Sequence, residues 1–290
     1  MATWRGADPS CAVAQSAIVV GDRWSWLIVR DLARGIRRFD ELVTELRISR
    51  KVLAERLAHL EQHGVVTRVP YQEHPPRHDY RLAPAGLALL PVVVALQDWG
   101  DQWVLGDGAP SATTEDGSQD QQRVESLVGA TVPDGLDLPA VVGGTLDVVD
   151  ATARATVVFT YPATSVPAPL PEDWSDIPGA AGCTLENRLF RETYADFRAA
   201  DVAVHGLSTQ RSDEQARFAD AESIPFPLLS DSDLRAAAAL RLPTLRSAST
   251  LRLRRTVLVV DGDRVVRAAR YPVSDIADAV SWALRTASAV

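Results

Sequence analysis

Sulfur is scarce in this chain. Only two of its 290 residues are cysteine, Cys11 and Cys183. Two cysteines this far apart cannot build a disulfide framework, so each is either buried filler or reactive chemistry. No apolar run approaches the roughly 18–20 residues of a membrane-spanning helix, and Met1-Ala-Thr-Trp-Arg5 is not the start of a signal peptide. A cytoplasmic protein with no membrane partner is expected. Five histidines offer no metal-ligand spacing, since His59 and His63 stand four apart with no third ligand in view. There is no glycine-rich phosphate loop and no fixed-period repeat, and no cofactor is expected. With 46% hydrophobic and 23% charged residues, collagen and low-complexity chains are excluded. At roughly 100–200 residues per domain, the length fits two domains, each with its own core.

The formal charge of −8 is unevenly spread. Residues 1–108 carry 13 basic and 13 acidic groups, so the whole excess of negative charge lies beyond them. Between Arg34 and Arg56 seven basic residues (Arg34, Arg37, Arg38, Arg47, Arg50, Lys51 and Arg56) face four acidic ones. A positive patch on a neutral half joined to an acidic half suggests that the first half alone meets a polyanion. The least foldable stretch, Gly106–Gln122, is rich in Gly, Ser, Thr and acids and reads as a flexible linker. Its 17 residues would span on the order of 20–25 Å. The expected organisation is a first domain over 1–107, a linker over 108–124 and a second domain over 125–290.

Upstream of the linker the pattern is helical. Helices are expected over Cys11–Val20 and Trp24–Ala33 around the turn Gly21-Asp-Arg23. Arg38–Leu46 puts Phe39, Leu42 and Leu46 on one face. Ser49–His63 has a serine suited to cap it, buries Leu53, Leu57 and Leu60, and ends at Gly64. The tight turn between these last two makes a helix-turn-helix. Two strands follow, Val65–Tyr71 and Asp79–Leu82, joined by a Pro/His tip that forms a wing. A long helix over Pro84–Val104 closes the domain. On the last helix of the helix-turn-helix, Ser49, Arg50, Lys51 and Arg56 point away from the apolar face and are free to meet DNA. Arg can read guanine bidentately, whereas Ser49 and Lys51 suit phosphate. Arg77 and His74 lie on the wing. The alternative for Arg56 is a surface ion pair with Glu55 or Asp40.

Cys11, Gly21-Asp-Arg-Trp24, Leu27-Ile-Val-Arg-Asp-Leu32, Arg38-Phe-Asp-Glu-Leu42, Ile48-Ser-Arg-Lys-Val-Leu53 with Arg56-Leu57, and Tyr80-Arg-Leu-Ala-Pro-Ala-Gly86 together resemble an HxlR-type winged helix-turn-helix regulator over roughly residues 8–105. The resemblance implies a homodimer paired through its first and last helices, with two recognition helices in successive major grooves of double-stranded DNA. It also carries a thiol-sensor role to Cys11; the other reading of that residue is plain packing.

Beyond the linker, strands alternate with helices, which argues an α/β domain with a central sheet. Strands are expected over Val157–Tyr161, Val202–Leu207, Phe226–Leu229, Thr256–Asp261 and Arg264–Tyr271. Helices are expected over Cys183–Ala200, Asp213–Ala221, Asp233–Leu242 and Asp275–Ala287. Ile177-Pro-Gly-Ala-Ala-Gly-Cys183 leads from a loop into a helix whose first residue is the cysteine. Unpaired N–H groups and the positive dipole end favour thiolate there. Such positions lower a cysteine pKa from about 8.5 into the range of roughly 3.5–7.5, and a thiolate attacks a peroxide O–O bond to give sulfenic acid.

Phe159-Thr-Tyr-Pro162, Gly182-Cys-Thr-Leu-Glu186 with Phe190-Arg191, Val204-His-Gly-Leu-Ser-Thr209, Ile224-Pro-Phe-Pro-Leu-Leu-Ser-Asp231 and Arg255-Thr-Val-Leu-Val-Val-Asp261 resemble the AhpC/TSA peroxiredoxins, nearest the PrxQ-like branch, over about residues 136–290. The resemblance implies a thioredoxin fold and a thiol-dependent peroxidase. Cys183 would be its peroxidatic cysteine and Arg255 the arginine holding thiolate and peroxide, with Arg254 as fallback. Thr184 and Glu186 look like first-turn support. Three positions depart from the family pattern. Ala180 stands where a Thr or Ser would hydrogen-bond the peroxide, Asp176 replaces the expected proline with Pro178 nearby, and Arg188 replaces the resolving cysteine. Resolution then falls to Cys11, a small thiol or a thioredoxin-type protein.

Three functions fit this sequence. One is a redox-responsive transcription regulator, whose partners are DNA, peroxide and a thiol reductant. The second is a thiol peroxidase whose winged-helix half only dimerises or tethers. The third is a binding module with a catalytically dead redoxin half.

Overall fold

The computed structural model describes residues 10–74, 76–106, 117–164, 170, 174, 177, 179–247 and 250–290. It divides into two compact units, Met1–Val93 and Val94–Val290. No described helix is long and apolar enough to cross a membrane.

In the first unit, α1 (Ala12–Val20) starts at Cys11, whose Sγ accepts the Ala14 N–H at 3.5 Å. Asp22 caps α2 (Arg23–Ala33), accepting from the Trp24 and Ser25 amides at 2.9 and 3.1 Å. The pair α3 (Phe39–Leu46) and α4 (Arg50–Gln62) is joined through Arg47, whose φ of 49° makes the tight turn. The Ser49 hydroxyl caps α4 by accepting from the Val52 amide at 3.3 Å. Satisfying these first-turn donors is what starts each helix at that residue. Gly64, at φ +68°, ends the run in a conformation that side-chain-bearing residues rarely adopt. Strands β1 (Val66–Gln72) and β2 (Arg77–Leu82) then pair antiparallel, Val66 opposite Leu82. Ile28, Val29, Leu42, Leu53, Leu57 and Leu60 are fully buried and form the centre of this unit.

The long helix expected over 84–104 is broken. It becomes α5 (Pro84–Leu87), α6 (Leu90–Gly100) and a π-helical turn, Asp101–Leu105. Pro91 explains the break, because it cannot donate to the Leu87 carbonyl and its ring crowds that turn.

In the second unit, Gln119–Glu125 forms α7, capped by the Ser118 hydroxyl on the Gln121 amide at 3.1 Å. This corrects the linker expectation over 108–124, since Asp120, Arg123 and Val124 are buried. Residues 107–116 of that stretch lie outside the described residues. The hairpin strands β3 (Asp137–Pro139) and β4 (Thr145–Asp147) precede the main sheet. The remaining elements are β5 (Ala155–Thr160), α8 (Cys183–Ala199), β6 (Val202–Ser208), α9 (Ser212–Glu222), β7 (Leu228–Ser230), α10 (Arg235–Leu240), β8 (Thr244–Ser247), β9 (Thr250–Leu253), β10 (Thr256–Asp261), β11 (Val266–Arg270) and α11 (Ile276–Ala287). The sheet order is β11-β10-β5-β6-β7; β5, β6 and β7 are parallel, and β10 runs antiparallel to both β5 and β11. This four-strand core with β7 added beyond β6 is a thioredoxin-like sheet. Both β5 and β10 are buried along their whole length, the pattern of strands covered on both faces. β3, β4, β8 and β9 were missed as strands because three- and four-residue runs carry no readable alternation.

The core of this unit is aromatic. Phe159 on β5 stacks on Phe190 of α8 at 4.1 Å between centroids and 16° between planes, and Phe226 meets both edge-on at 5.8 and 6.5 Å. Both rings of the stacked pair are fully buried. Phe190→Ala is therefore expected to destabilise this unit by about 3–5 kcal/mol. A smaller loss in chemical denaturation of the full chain would mean that the aromatic layer closes over the cavity.

Candidate functional site

The loop after β5 and the start of α8 converge on one sulfur atom. Gly182 caps α8 at φ +107°, and a Cβ there would sit 2.8 Å from the Ile276 Cδ1. Only glycine lets the loop deliver Cys183 as the first residue of the helix. Cys183 is 3% exposed. Its Sγ lies 3.1 Å from Arg255 Nη2 and 3.6 Å from the Ala180 carbonyl oxygen.

Arg255 stands between β9 and β10 and is itself buried. Its Nε donates to Glu186 Oε2 at 3.1 Å, Nη1 to the Gly179 carbonyl, and Nη2 to the Ala180 carbonyl at 3.1 Å. One guanidinium thus holds the loop backbone, the first-turn carboxylate and the thiol together. Burial raises the Glu186 carboxyl to about 7, opposed by Arg255. Asn187 donates from Nδ2 to the Cys183 carbonyl at 2.9 Å. The Tyr161 hydroxyl accepts from Gln215 Nε2 at 3.2 Å, and burial holds that phenol well above its usual range.

The electrostatics differ from the sequence expectation. Burial pushes the Cys183 thiol up to about 11; Arg255 acts to lower it and Glu186 to raise it further. The expected lowering at a helix N-terminus is outweighed because a dry sulfur loses more by ionising than one cation returns.

Cys183, Arg255 and Glu186 are brought together, with half-buried Thr184 in the same first turn of α8. Arg254, the fallback, is not at the thiol. Its Nη1 donates to Asp120 Oδ2 at 2.8 Å. Ala180 is buried, and at its position the loop offers Arg255 a carbonyl and no hydroxyl. Arg188 forms a double hydrogen bond with Glu222 at 2.7 and 2.8 Å. Asp176 and Pro178 lie outside the described residues. Asn187 and Tyr161 were not singled out by sequence; Tyr161 lay within a quoted motif, but nothing in its spacing gave it a role.

The basic face of the first unit is laid out as follows. Arg50, Lys51 and Arg77 are exposed. Arg50 pairs with Asp40 at 2.6 Å, both largely in solvent, and lies over the Phe39 ring. Arg56 is half-buried and pairs with Asp22, the cap of α2, at 3.3 Å; the expected alternatives, Glu55 and Asp40, are not its partner. Ser49 spends its hydroxyl on the α4 cap, and His74 is exposed on the wing. His59 Nε2 lies 3.2 and 3.1 Å from the Ile18 and Val19 carbonyls at the end of α1. Cys11 is part-exposed.

A helix-turn-helix with a two-stranded wing and a thioredoxin-like sheet carrying a cysteine–arginine pair define a DNA-binding unit joined to a redoxin unit. Family models match both. Residues 19–107 match the HxlR-like helix-turn-helix and residues 175–269 the AhpC/TSA family. The chain belongs to the HxlR-like helix-turn-helix family through its N-terminal part and to the AhpC/TSA family through its C-terminal part. An HTH-type transcriptional regulator of Synechocystis is 35% identical over 109 residues, covering 35% of this chain and 81% of that one. A putative peroxiredoxin of Mycobacterium tuberculosis is 32% identical over 139 residues, covering 47% of this chain and 80% of the relative. The crystal structure of the peroxidoxin BcpB from the same organism matches 56% of this chain and 97% of its own at 28% identity, with a TM-score of 0.47. The chain spans 59% of the length of the mycobacterial HTH-type regulators that it matches.

Proposed function

We propose that this chain is a redox-responsive DNA-binding transcription regulator, cytoplasmic and homodimeric, whose peroxiredoxin-type unit reduces or senses peroxides through Cys183. The observation that carries the reading is the buried Cys183 Sγ at 3.1 Å from Arg255 Nη2, in one polypeptide with a winged helix-turn-helix. The sulfur attacks one peroxide oxygen and the O–O bond breaks. Cys183 becomes sulfenic acid, and the other oxygen leaves with a proton as alcohol or water. Arg255 favours the thiolate and the developing charge. Because the sulfur is 3% exposed and held as thiol, the reaction begins with solvent and peroxide reaching it. A thioredoxin-type protein, a small thiol or Cys11 then resolves the sulfenic acid.

Dimerisation through the first and last helices is supported by their apolar residues left in solvent: Val13 and Ile18 on α1, and Val92, Leu96 and Trp99 on α6. DNA contact is assigned to Arg50, Lys51, Arg77 and Ser49, with Arg56 joining only if it leaves Asp22. The second reading, a peroxidase whose winged helix merely dimerises or tethers, draws on the ion pairs that occupy Arg50 and Arg56.

Titration of the full chain with duplex DNA across a salt series separates the two. The regulator reading expects affinity to fall steeply with salt, Arg50→Ala to lose about 1–3 kcal/mol, and Lys51→Ala to reduce the salt slope by about 1. Absence of salt-dependent binding to any duplex would leave the tethered peroxidase.

A further inference from the structure

The stretch expected as a linker ends in a buried ionic cluster beside Arg255. Arg254 and Arg255 are neighbours on one extended segment with opposite duties. Arg255 turns to Cys183, while Arg254 turns the other way. Its Nε donates to the Thr244 carbonyl at 2.7 Å and its Nη1 to Asp120 Oδ2 at 2.8 Å and the Tyr271 hydroxyl at 3.3 Å. The Tyr271 hydroxyl also donates to Asp120 Oδ2 at 3.3 Å. Asp120 Oδ1 accepts from Arg123 Nη2 at 2.5 Å. Arg123 in turn reaches both oxygens of Asp101, at 2.8 and 2.9 Å, and the Arg241 carbonyl at 2.9 Å. Gln97 and Asp98 hold the same loop, through the Leu242 carbonyl at 3.0 Å and the Thr244 hydroxyl at 3.3 Å.

The Arg254 backbone is fixed as well. Its N–H donates to the Pro243 carbonyl at 2.9 Å, and its carbonyl accepts from the Thr160 hydroxyl, at the end of β5, at 2.6 Å. Asp120, Arg123 and Asp98 are all buried. The contacts from Thr244, Asp120, Tyr271, Pro243 and Thr160 converge on Arg254, the residue preceding Arg255, and the others hold Asp120 and the neighbouring loop.

We propose that Asp120 and Arg254 are positioning residues for Arg255: the carboxylate on α7 clamps the Arg254 guanidinium, and the clamp aims the next guanidinium at the Cys183 sulfur. The inference rests on the peroxidatic reading of Cys183 and adds α7 to that site. The charged and titratable groups facing the thiol are Arg255, Glu186 and Tyr161. Asp120, Arg123, Asp101 and Asp98 surround Arg254 from α7, the π-helical turn and α6.

The sign of the effect separates positioning from simple charge. Removing a negative charge near the site would by itself favour thiolate and lower the Cys183 pKa. Loosening Arg255 would raise it.

The test uses the full chain as wild type, Asp120→Asn, Tyr271→Phe and Cys183→Ser. Cys183 alkylation by iodoacetamide is followed by mass spectrometry against pH, and hydrogen peroxide consumption is measured with dithiothreitol as reductant. Asp120→Asn is expected to move the alkylation profile upward by about one unit and to slow peroxide consumption roughly ten- to a hundredfold. Tyr271→Phe, which takes away only a hydroxyl, is expected to shift both in the same direction by less, and it decides the matter if Asp120→Asn does not fold. An unchanged or downward-shifted profile overturns the positioning role. Peroxide consumption equal in wild type and Cys183→Ser overturns the peroxidatic reading instead, and the alkylation profile still reports on the clamp.

Discussion

Cys183→Ser is expected to abolish thiol-dependent peroxide consumption by the full chain, and Arg255→Ala to slow it by roughly a hundredfold or more. The two effects arise differently. Serine in place of Cys183 removes the only atom at the start of α8 that can accept the peroxide oxygen. Alanine at 255 leaves the sulfur in place but withdraws the cation at 3.1 Å, the partner of Glu186 and two ties to the loop backbone. A buried Glu186 carboxyl then faces the thiol without its counter-charge. The pH dependence follows from the direction of the shift. With burial holding the thiol near 11, the thiolate fraction grows about tenfold per pH unit below that value, so the wild-type rate is expected to climb from pH 7 to 10. Stopped-flow peroxide consumption against pH checks this. A plateau reached by pH 7 would show that the reacting conformation wets the sulfur and holds its pKa far lower than the closed site does. Equal rates in wild type and Cys183→Ser would remove the peroxidase chemistry altogether.

Much of this was legible because the strongest elements announce themselves locally. The Ser49 cap, the Leu53/Leu57/Leu60 face and Gly64 fixed α4 within a residue or two. The glycine run before Cys183 placed the thiol at the start of α8. The choice of Arg255 over Arg254 followed from family resemblance; in the structure the two adjacent side chains have different partners, Arg255 the Cys183 sulfur and Arg254 the Asp120 carboxylate. What stayed hidden was non-local. Composition marked Asp120 as solvated linker and the domain division placed Arg123 beside it, whereas Asp101, Arg254, Tyr271 and the Arg241 carbonyl, brought in from elsewhere in the chain, hold both in a buried cluster. Arg56 meets Asp22 across 34 residues, which no helical spacing reveals. The expected lowering of the thiol pKa is opposed by burial of the sulfur, which a sequence that shows only the helix end does not reveal.

The second large effect concerns DNA. Oxidation at Cys183 is expected to weaken specific duplex binding toward the non-specific level, roughly a thousandfold or more, without altering any residue that touches DNA. In the proposed route, the Cys183 sulfenic acid condenses with the Cys11 thiol, forming a disulfide and releasing water. Cys11 already has a structural duty, because its Sγ accepts the Ala14 amide at the start of α1. In this route the disulfide is expected to disturb that cap and α1, one of the two helices proposed for the dimer face. Two half-sites must lie about 34–36 Å apart for paired recognition helices to engage, so a shifted dimer loses specific binding while its basic face stays intact. Duplex titration before and after a stoichiometric peroxide pulse, on wild type, Cys11→Ser and Cys183→Ser, tests this most directly. The account predicts a large loss of affinity in wild type, reversed by dithiothreitol, with Cys183→Ser unaffected and Cys11→Ser much less affected. An identical change in all three proteins, or none in wild type, would contradict it.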